Sequence, residues 1–163
     1  MNKRAPGERR VLFDGEPTMR AVIQRVNYGK VVVEGQTVAE IKKGLVILLG
    51  IGPEDDAAKA AALAKKIAQM RIFEDDQEKM NLSLWDVQGE AIVVSQFTLF
   101  ADTHKGNRPA FINAAKPDLA RPLVDAFIQD FTDLGIPIQS GIFGAHMLVS
   151  LENDGPVTIW MDA

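Results

Sequence analysis

Short apolar segments separated by polar turns predict several β-strands along the chain. Residues 20–26 are rich in β-branched side chains, and residues 30–33 and 37–41 flank a Glu-Gly-Gln turn that predicts a hairpin. Residues 45–50 form a nearly continuous apolar run, which is typical of a strand buried on both faces. Further strands are predicted at residues 91–96, 138–141, 147–151 and 157–161.

Two other segments repeat apolar residues at helical spacing, and each predicts a helix that packs on the sheet. The first helix is predicted to begin at the acidic segment 53–56, because acidic groups favour the positive end of a helix dipole. Its apolar face comprises Ala60, Leu63, Ala64, Ile67 and Met70. The second helix is predicted over residues 117–134, with Gly135 as its C-terminal cap. Its apolar face comprises Leu119, Leu123, Phe127, Phe131 and Leu134. This order of elements predicts an α/β fold with a mixed or antiparallel sheet.

Composition fits one domain and excludes some chemistry. The 163 residues carry a formal net charge of −4, which disfavours broad electrostatic binding of nucleic acid but allows a small basic patch to bind one RNA end. Cysteine is absent, so thiolate catalysis, disulfides and Cys-ligated metals are excluded, and a cytoplasmic location is expected. Residues 1–18 are rich in Arg, Pro and Gly and lack an apolar core. They predict a disordered extension ahead of one domain at residues 19–163.

The familiar catalytic motifs are missing from the sequence. It contains neither a nucleophile-elbow serine nor a GxxxxGKS phosphate loop. Its two histidines are His104, in a polar loop beside Lys105 and Arg108, and His146, ahead of a predicted strand. No second His or carboxylate stands at ligand spacing from His146, so neither a metal nor a cofactor is predicted. Residues 105–109, which include Lys105 and Arg108, form either a solvated turn or a contact for phosphate.

Polar residues that follow a buried strand form the first candidate site. Ser95, Gln96 and Thr98 stand where the strand runs into a loop, which is where functional side chains gather. Their hydroxyls either satisfy the strand end or orient a substrate, because the local sequence supplies no base to activate a nucleophile. The following polar loop, residues 101–113, is unusually long for a loop without function.

Three other positions have an unusual residue for their surroundings. Phe143 stands between two glycines and either packs in the core or forms an apolar floor under a planar ring such as a nucleobase. Arg25 lies in an apolar strand and needs acceptors, which clustered backbone carbonyls would provide. Gly155–Pro156 precedes the last strand, and composition alone predicts a trans turn there because only about 5–6% of X–Pro bonds are cis.

Seven separated segments share their order and spacing with one known family. They are residues 19–26, 71–75, 79–83, 95–102, 105–109, 141–145 and 153–159. Together they resemble the D-aminoacyl-tRNA deacylases of bacterial and eukaryotic type, from residue 19 to residue 163. The resemblance implies an intertwined homodimer of α/β subunits, each with a sheet curled like a barrel. It also implies hydrolysis of the ester between a D-amino acid and the terminal adenosine of tRNA, including removal of mischarged glycine.

The resemblance implies a stereochemical filter at the end of the chain. Gly155–Pro156 corresponds to a cis pair that reaches into the pocket of the partner subunit and leaves no room for an L side chain. Arg25 corresponds to the residue that holds this pair in place. A rigid backbone wall suits the task, because one methylene of pocket fit discriminates by only about 1–3 kcal/mol.

The resemblance also implies the residues that form the pocket. The catalytic candidates are Ser95, Gln96 and Thr98. The substrate-binding candidates, besides the filter and Arg25, are Phe97, Phe143, Gly144 and Met147. The candidate tRNA contacts are Lys105 and Arg108. Because no base stands near Thr98 in the sequence, we expect Thr98 to position the substrate while the 2′-hydroxyl of the tRNA assists the reaction.

The chain departs from its relatives at three positions. Phe100, Ala110 and His146 stand where many relatives have a Tyr, a Ser and an acidic residue. We expect these departures to tune the tRNA contact. Two alternative functions remain open from sequence: a hydrolase of small D-amino-acid esters or amides, and a non-catalytic nucleic-acid-binding module.

Overall fold

The computed structural model describes residues 18–163. The strands are β1 (Arg20–Val33), β2 (Gln36–Ile41), β3 (Gly44–Gly50), β4 (Phe73–Glu74), β5 (Met80–Leu82), β6 (Glu90–Ser95), β7 (Ile138–Ser140) and β8 (Leu148–Asp162). The helices are α1 (Ala57–Gln69), α2 (Pro117–Asp133) and a short 3-10 helix, Phe97–Phe100. The predicted N-terminal extension lies outside the described residues except for Thr18, whose hydroxyl donates to the carbonyl of Ala163 at 2.7 Å.

The main sheet is mixed and is organised around β1. β2 and β3 both run antiparallel to β1, β2 beside its second half and β3 beside its first half. β6 and β7 continue from β3 in parallel, and β8 pairs antiparallel with β1 along nearly its whole length. The mixed α/β sheet with two main helices is the fold expected from the sequence.

A side chain joins the two ends of this sheet and makes its curl almost closed. Gln139 of β7 donates from Nε2 to the carbonyl of Glu40 on β2 at 2.8 Å, and its Oε1 accepts from the Glu40 N–H at 2.9 Å. The carboxamide therefore pairs with β2 as another strand would. The result is the barrel-like curl that the resemblance implies.

The core has two layers because β3 and β6 are buried on both faces. Leu45, Ile47 and Leu49 point from β3 into a cluster with the two helices. Val46, between them, points into a second cluster enclosed by the curled sheet, together with Ile92. The apolar run at residues 45–50 therefore reflects burial on both sides of a parallel pair.

The helices follow their predicted patterns with corrections at their ends. The acidic segment before α1 is not helical, and Asp56 instead caps the helix by accepting from the Lys59 N–H at 2.9 Å. Met70 follows α1 as its C-cap. Leu134 was predicted on the apolar face of α2 but lies beyond its last residue and is 36% exposed. Gly135 follows it with φ of +80°, so the predicted glycine stop is confirmed.

Other predicted elements differ from the structure because tertiary pairing lengthens the strands. The first strand and the first hairpin arm form one strand, β1, because β8 lies along both of them. The two last predicted strands likewise form β8. The predicted strand end at Gln96 gives way to the 3-10 helix. Neither α1 nor α2 combines the length and apolar character that crossing a membrane would require.

Candidate active site

A cleft of about 610 Å³ opens where the parallel strands β3 and β6 end. Ile51 follows β3, and Val94 and Ser95 end β6, so both strands deliver their last residues to the same edge of the sheet. Functional sites commonly lie at such edges in α/β folds. The remaining lining residues are Gln96, Phe97, Phe111, Ala114, Ala115, Lys116, Pro117, Ala120, Phe143, Gly144, Ala145, His146, Met147 and Val149. Six of the residues predicted for the site are therefore brought together here: Ser95, Gln96, Phe97, Phe143, Gly144 and Met147.

Thr98 lies beside this cleft but does not line it. It is exposed on the 3-10 helix, and the Gln96 side-chain amide donates a hydrogen bond to its hydroxyl. A carboxamide is not a base, so this contact orients Thr98 without activating it. Gln96 itself lines the cleft, which makes it the link between Thr98 and the space where a substrate would bind.

Aromatic and apolar side chains form the walls of the cleft. The ring of Phe97 meets the ring of Phe111 edge to face, with 5.0 Å between their centroids. Phe143 carries the guanidinium of Arg121 over its ring at 4.7 Å from the centroid. Gly144, next to it, has φ of +77°, and no atom lies within 4 Å of where its Cβ would be. The open backbone at Gly144 and the flat rings beside it suit a planar ligand.

The beginning of α2 forms a part of the cleft that the sequence reasoning missed. Lys116 is the N-cap residue and Pro117 the first helical residue, and both line the cleft. The Ala115 N–H donates to the carbonyl of Ile51 at 2.9 Å, which fixes the helix start against the end of β3. The predicted start of α2 at residue 117 could have indicated this part of the cleft, because the starts of helices and the ends of parallel strands meet at one edge of such a sheet.

Gly155 and Pro156 lie in β8 but outside the cleft of their own chain. The peptide bond between them is cis, as the resemblance implies and contrary to the trans turn expected from composition. Both residues are exposed, and neither is among the residues that line the cleft. The pairing of β8 with β1 skips from Asn153 to Thr158. The four residues between them form a bulge on the strand, which we call the Gly-Pro bulge (residues 154–157).

Arg25 braces the Gly-Pro bulge from within the protein. Its residue is only 4% exposed, and its Nε donates to the carbonyl of Asp154 at 3.3 Å and pairs with the carboxylate of the same residue at 3.1 Å. Its Nη1 donates to the carbonyl of Ile72 at 2.7 Å, and its Nη2 lies 3.7 Å from Glu74. The acceptors expected for a buried arginine are therefore present, and carbonyl oxygens are among them.

Asn153 closes the base of the Gly-Pro bulge. Its side-chain oxygen accepts from the Val157 N–H at 3.1 Å, and its Nδ2 donates to the Thr158 hydroxyl at 2.9 Å. Gly155 itself has φ of +123°, and a Cβ there would lie 2.9 Å from Val157 Cγ2 and 3.1 Å from Arg25 Nη2. Only glycine fits this backbone without strain.

Lys105 and Arg108 lie in a loop with a closed neck, which we call the basic loop (residues 102–110). Asp102 and Ala110 exchange two backbone hydrogen bonds, of 2.7 and 2.9 Å. Lys105 and Arg108 are exposed on the loop and form no ion pair with any residue between 18 and 163. Asp102 accepts from the backbone and ring of His104, and these hydrogen bonds, the backbone one first, hold the pKa of its carboxyl below the ordinary value.

The three departures from the family pattern lie in different places. His146 lines the cleft, Ala110 forms one side of the basic loop's neck, and Phe100 is buried with the guanidinium of Arg20 over its ring at 4.6 Å. Within residues 18–163, no three side chains of the His, Asp and Glu types lie together as a metal site would require.

Comparison with known proteins gives one family. Residues 22–162 match the family described as D-Tyr-tRNA(Tyr) deacylase. A D-aminoacyl-tRNA deacylase of Thermomicrobium roseum is 55% identical over 145 residues, which cover 89% of this chain and 94% of the relative. One of Fusobacterium nucleatum is 56% identical over 144 residues, which cover 88% and 95%. A solved structure of the c-Myc DNA unwinding element binding protein is 38% identical with a TM-score of 0.83, covering 88% of this chain and 98% of that one. A probable eukaryotic D-amino acid tRNA deacylase has the same fold at 18% identity, with a TM-score of 0.78 and coverage of 90% and 100%.

Proposed function

The chain belongs to the D-Tyr-tRNA(Tyr) deacylase family, and we propose that it hydrolyses the ester of D-aminoacyl-tRNA. The products are the free D-amino acid and tRNA, and mischarged glycyl-tRNA is a second substrate. The observation that carries the proposal is the match over residues 22–162 together with a cleft that holds six of the expected site residues. Because tRNA is charged and used in the cytoplasm, we propose that the enzyme acts there.

The lining of the cleft suits the end of a charged tRNA. The adenine ring of the terminal nucleotide packs on Phe143, which also has the Arg121 guanidinium over its ring. The aminoacyl group extends toward Ser95 and Gln96 at the end of β6, beneath the Phe97 ring. Apolar rings with few convergent polar groups are typical of small-molecule sites.

The reaction is proposed to need no side-chain nucleophile. A water molecule attacks the ester carbonyl carbon, the bond to the ribose oxygen breaks, and that oxygen leaves with a proton. The Thr98 hydroxyl accepts from the Gln96 amide, and no imidazole or carboxylate among the described residues hydrogen bonds to it. Thr98 therefore positions the substrate through Gln96, and the ribose 2′-hydroxyl of the tRNA assists the proton transfer.

Selection against L-aminoacyl-tRNA is proposed to come from the Gly-Pro bulge of a second copy of the chain. In a homodimer, the bulge of one subunit enters the cleft of the other and sets its backbone against the α-carbon of the substrate. The proposal is supported by the exposure of Gly155 and Pro156, their position outside their own cleft, and the bracing by Arg25. Backbone atoms accept any side chain on the permitted side, which suits many D-amino acids.

A matched pair of assays tests the function. Purified protein is incubated with D-tyrosyl-tRNA and L-tyrosyl-tRNA, and loss of the ester is followed in each. Rapid hydrolysis of the D form and survival of the L form is the expected result. Equal rates on the two would refute the stereochemical filter, and no hydrolysis of either would refute the deacylase proposal.

Mixing two variants tests the cross-subunit site. Gly155→Val disables the bulge and should remove selectivity, and Phe143→Ala disables the cleft and should remove activity. In a homodimer whose bulge serves the partner's cleft, the one intact cleft of a mixed dimer receives the intact bulge. We therefore expect a mixed dimer, isolated after the two variants are unfolded and refolded together, to hydrolyse D-tyrosyl-tRNA and spare L-tyrosyl-tRNA. A mixed dimer that hydrolyses both would assign the bulge to its own subunit's cleft.

The two alternatives make different predictions in the same assays. A hydrolase of small D-amino-acid esters would not be inhibited by uncharged tRNA, whereas the deacylase would be. A nucleic-acid-binding module is suggested by the name of one solved relative, which refers to a DNA element. The net charge of −4 disfavours duplex DNA binding by this chain, and the test is binding to duplex DNA across a series of salt concentrations.

A further inference from the structure

The neck of the basic loop lies at the rim of the cleft. Its last residue, Ala110, is followed directly by Phe111, which lines the cleft and packs edge to face on Phe97. The two backbone hydrogen bonds of the neck fix where the loop leaves the domain. Under the proposed function, on which this inference rests, the nucleotides that precede the terminal adenosine leave the cleft past this rim.

His104 is the third side chain of the basic loop that can carry positive charge. Its ring Nδ1 lies 2.7 Å from Asp102 Oδ1, and its backbone N–H donates to the same oxygen at 3.0 Å. With Nδ1 engaged, no residue between 18 and 163 hydrogen bonds to the other ring nitrogen, which can therefore meet an external partner. The side chain is 67% exposed, so such a partner can reach it.

We propose that His104 contacts a phosphate of the tRNA acceptor end, with Asp102 as the residue that positions its ring. Histidine is the side chain whose charge ordinarily changes between about pH 5 and 8, so this contact strengthens as pH falls. The other charged groups of the loop are Asp102, Lys105 and Arg108, which give it a net charge of +1 with neutral His104 and +2 with the protonated ring. Asp102 is the only charged side chain among the described residues that contacts the ring.

The physical argument combines geometry with charge. A flexible exposed histidine gains little from one phosphate, because ordering the ring costs entropy. Here the ordering is already done by Asp102, which holds both the backbone and the ring of His104. The carboxylate also accompanies the protonated ring as its partner, in the way that a carboxylate orients histidine in many sites. When the ring is protonated, the loop therefore presents a preorganised Nε2–H donor beside the cations of Lys105 and Arg108.

The test measures binding directly, so that it does not depend on catalysis. An uncharged minihelix of the tRNA acceptor stem with its CCA end is titrated with the full chain near pH 6 and near pH 8, over a series of salt concentrations. For the wild type we expect binding several-fold tighter near pH 6. The slope of log affinity against log salt should also steepen by roughly 0.7–0.9, which is one phosphate contact.

Three variants assign the effect to one side chain. His104→Gln is expected to bind as the wild type does near pH 8 and to lose the pH dependence. His104→Lys should bind tightly at both pH values, because its charge does not change over this range. Asp102→Asn removes the carboxylate that holds the ring and is expected to reduce the gain in affinity near pH 6. A merely structural role of Asp102 would lower affinity equally at both pH values.

A variant outside both the cleft and the basic loop provides the control. Lys65→Ala, at an exposed lysine of α1, is expected to keep the pH dependence of minihelix binding. The inference is overturned if His104→Gln keeps that dependence or if the wild type does not bind the minihelix. Failure of the proposed function gives a different result, since D-tyrosyl-tRNA would survive while His104-dependent binding persisted.

Discussion

The Gly-Pro bulge and the basic loop are both exposed segments, but they are built in opposite ways. The bulge is braced at Asp154 by a buried side chain, Arg25, and closed by Asn153. The basic loop is fixed at its neck by two backbone hydrogen bonds, and its cations extend into solvent. The bulge therefore has a defined backbone shape, whereas the loop presents charge at a defined place.

This difference matches two separate tasks in recognising a charged tRNA. Distinguishing a D from an L amino acid requires atoms held to within a fraction of an ångström, which only bracing provides. Attracting RNA requires charge near the entrance, where exact side-chain positions matter less. Substitutions in the bulge should therefore alter selectivity and stability, and substitutions in the loop should alter affinity.

Removing the brace should have the largest effect on stability. Arg25→Ala leaves the carbonyls of Asp154 and Ile72 without their donor, so we expect a loss of about 3 kcal/mol in the free energy of unfolding. Urea denaturation measures this. Arg25→Lys is the matched control, because it keeps the charge but not the forked geometry, and it should be intermediate. A loss below about 0.5 kcal/mol for Arg25→Ala would show that the arginine is not a brace.

Adding one methyl group to the bulge should have the next largest effect. Gly155→Ala places a Cβ 2.9 Å from Val157 Cγ2 at φ of +123°, which should cost about 2 kcal/mol and lower the ratio of D to L hydrolysis. Gly106→Ala is the control: Gly106 also has positive φ, +69°, but its Cβ would meet nothing within 4 Å. It should be destabilised less and keep its selectivity. If Gly155→Ala and Gly106→Ala had the same ratio of D to L hydrolysis, selectivity would not depend on the bulge more than on the basic loop.

Removing one cation of the basic loop should have a smaller effect, confined to affinity. Lys105→Ala or Arg108→Ala is expected to raise KM about three- to tenfold with kcat unchanged, and the difference should shrink at high salt. Steady-state kinetics on D-tyrosyl-tRNA measure it. Lys65→Ala, an exposed lysine on α1, is the control and should leave KM unchanged. A fall in kcat for the loop variants would place the loop in the chemical step.

The smallest effect is expected at Thr98. Thr98→Ala removes the hydroxyl that accepts from Gln96, and we expect kcat to fall less than about tenfold because Thr98 is proposed to position the substrate rather than attack it. Loss of a nucleophile lowers kcat by several orders of magnitude. Single-turnover hydrolysis of D-tyrosyl-tRNA distinguishes a positioning role of Thr98 from a nucleophilic one. Complete loss of turnover with minihelix binding intact would make Thr98 the nucleophile.

The sequence predicted the elements well where local pattern decides the structure. The apolar run at residues 45–50 and the helical spacing in α1 and α2 each gave the right element. The joining of two predicted strands into β8 was not predictable, because Asn153 and the bulge interrupt the pattern while pairing with β1 continues on both sides. The hydrogen bonds by which Gln139 closes the sheet could not be predicted either, since they join residues 99 positions apart.

The site was predicted in part, for a related reason. Ser95 and Gln96 adjoin a buried strand, and local sequence alone pointed to them, whereas Phe97 came from the resemblance. Lys116 and Phe111 reach the cleft only because α2 is fixed to the end of β3. The resemblance supplied Gly155, Pro156 and Arg25 as a unit, which no local statistic would have joined.

The carboxamide of Gln139 has a consequence for assembly. Because it occupies the outer backbone groups of Glu40, the edge of β2 is closed to strand addition from another molecule. Among the described residues, the long strand β8 pairs with β1 on one side and with no other strand. Two copies that met along β8 about a two-fold axis would use both free edges at once. Such an assembly would end at two subunits, because it leaves no β8 edge for a third.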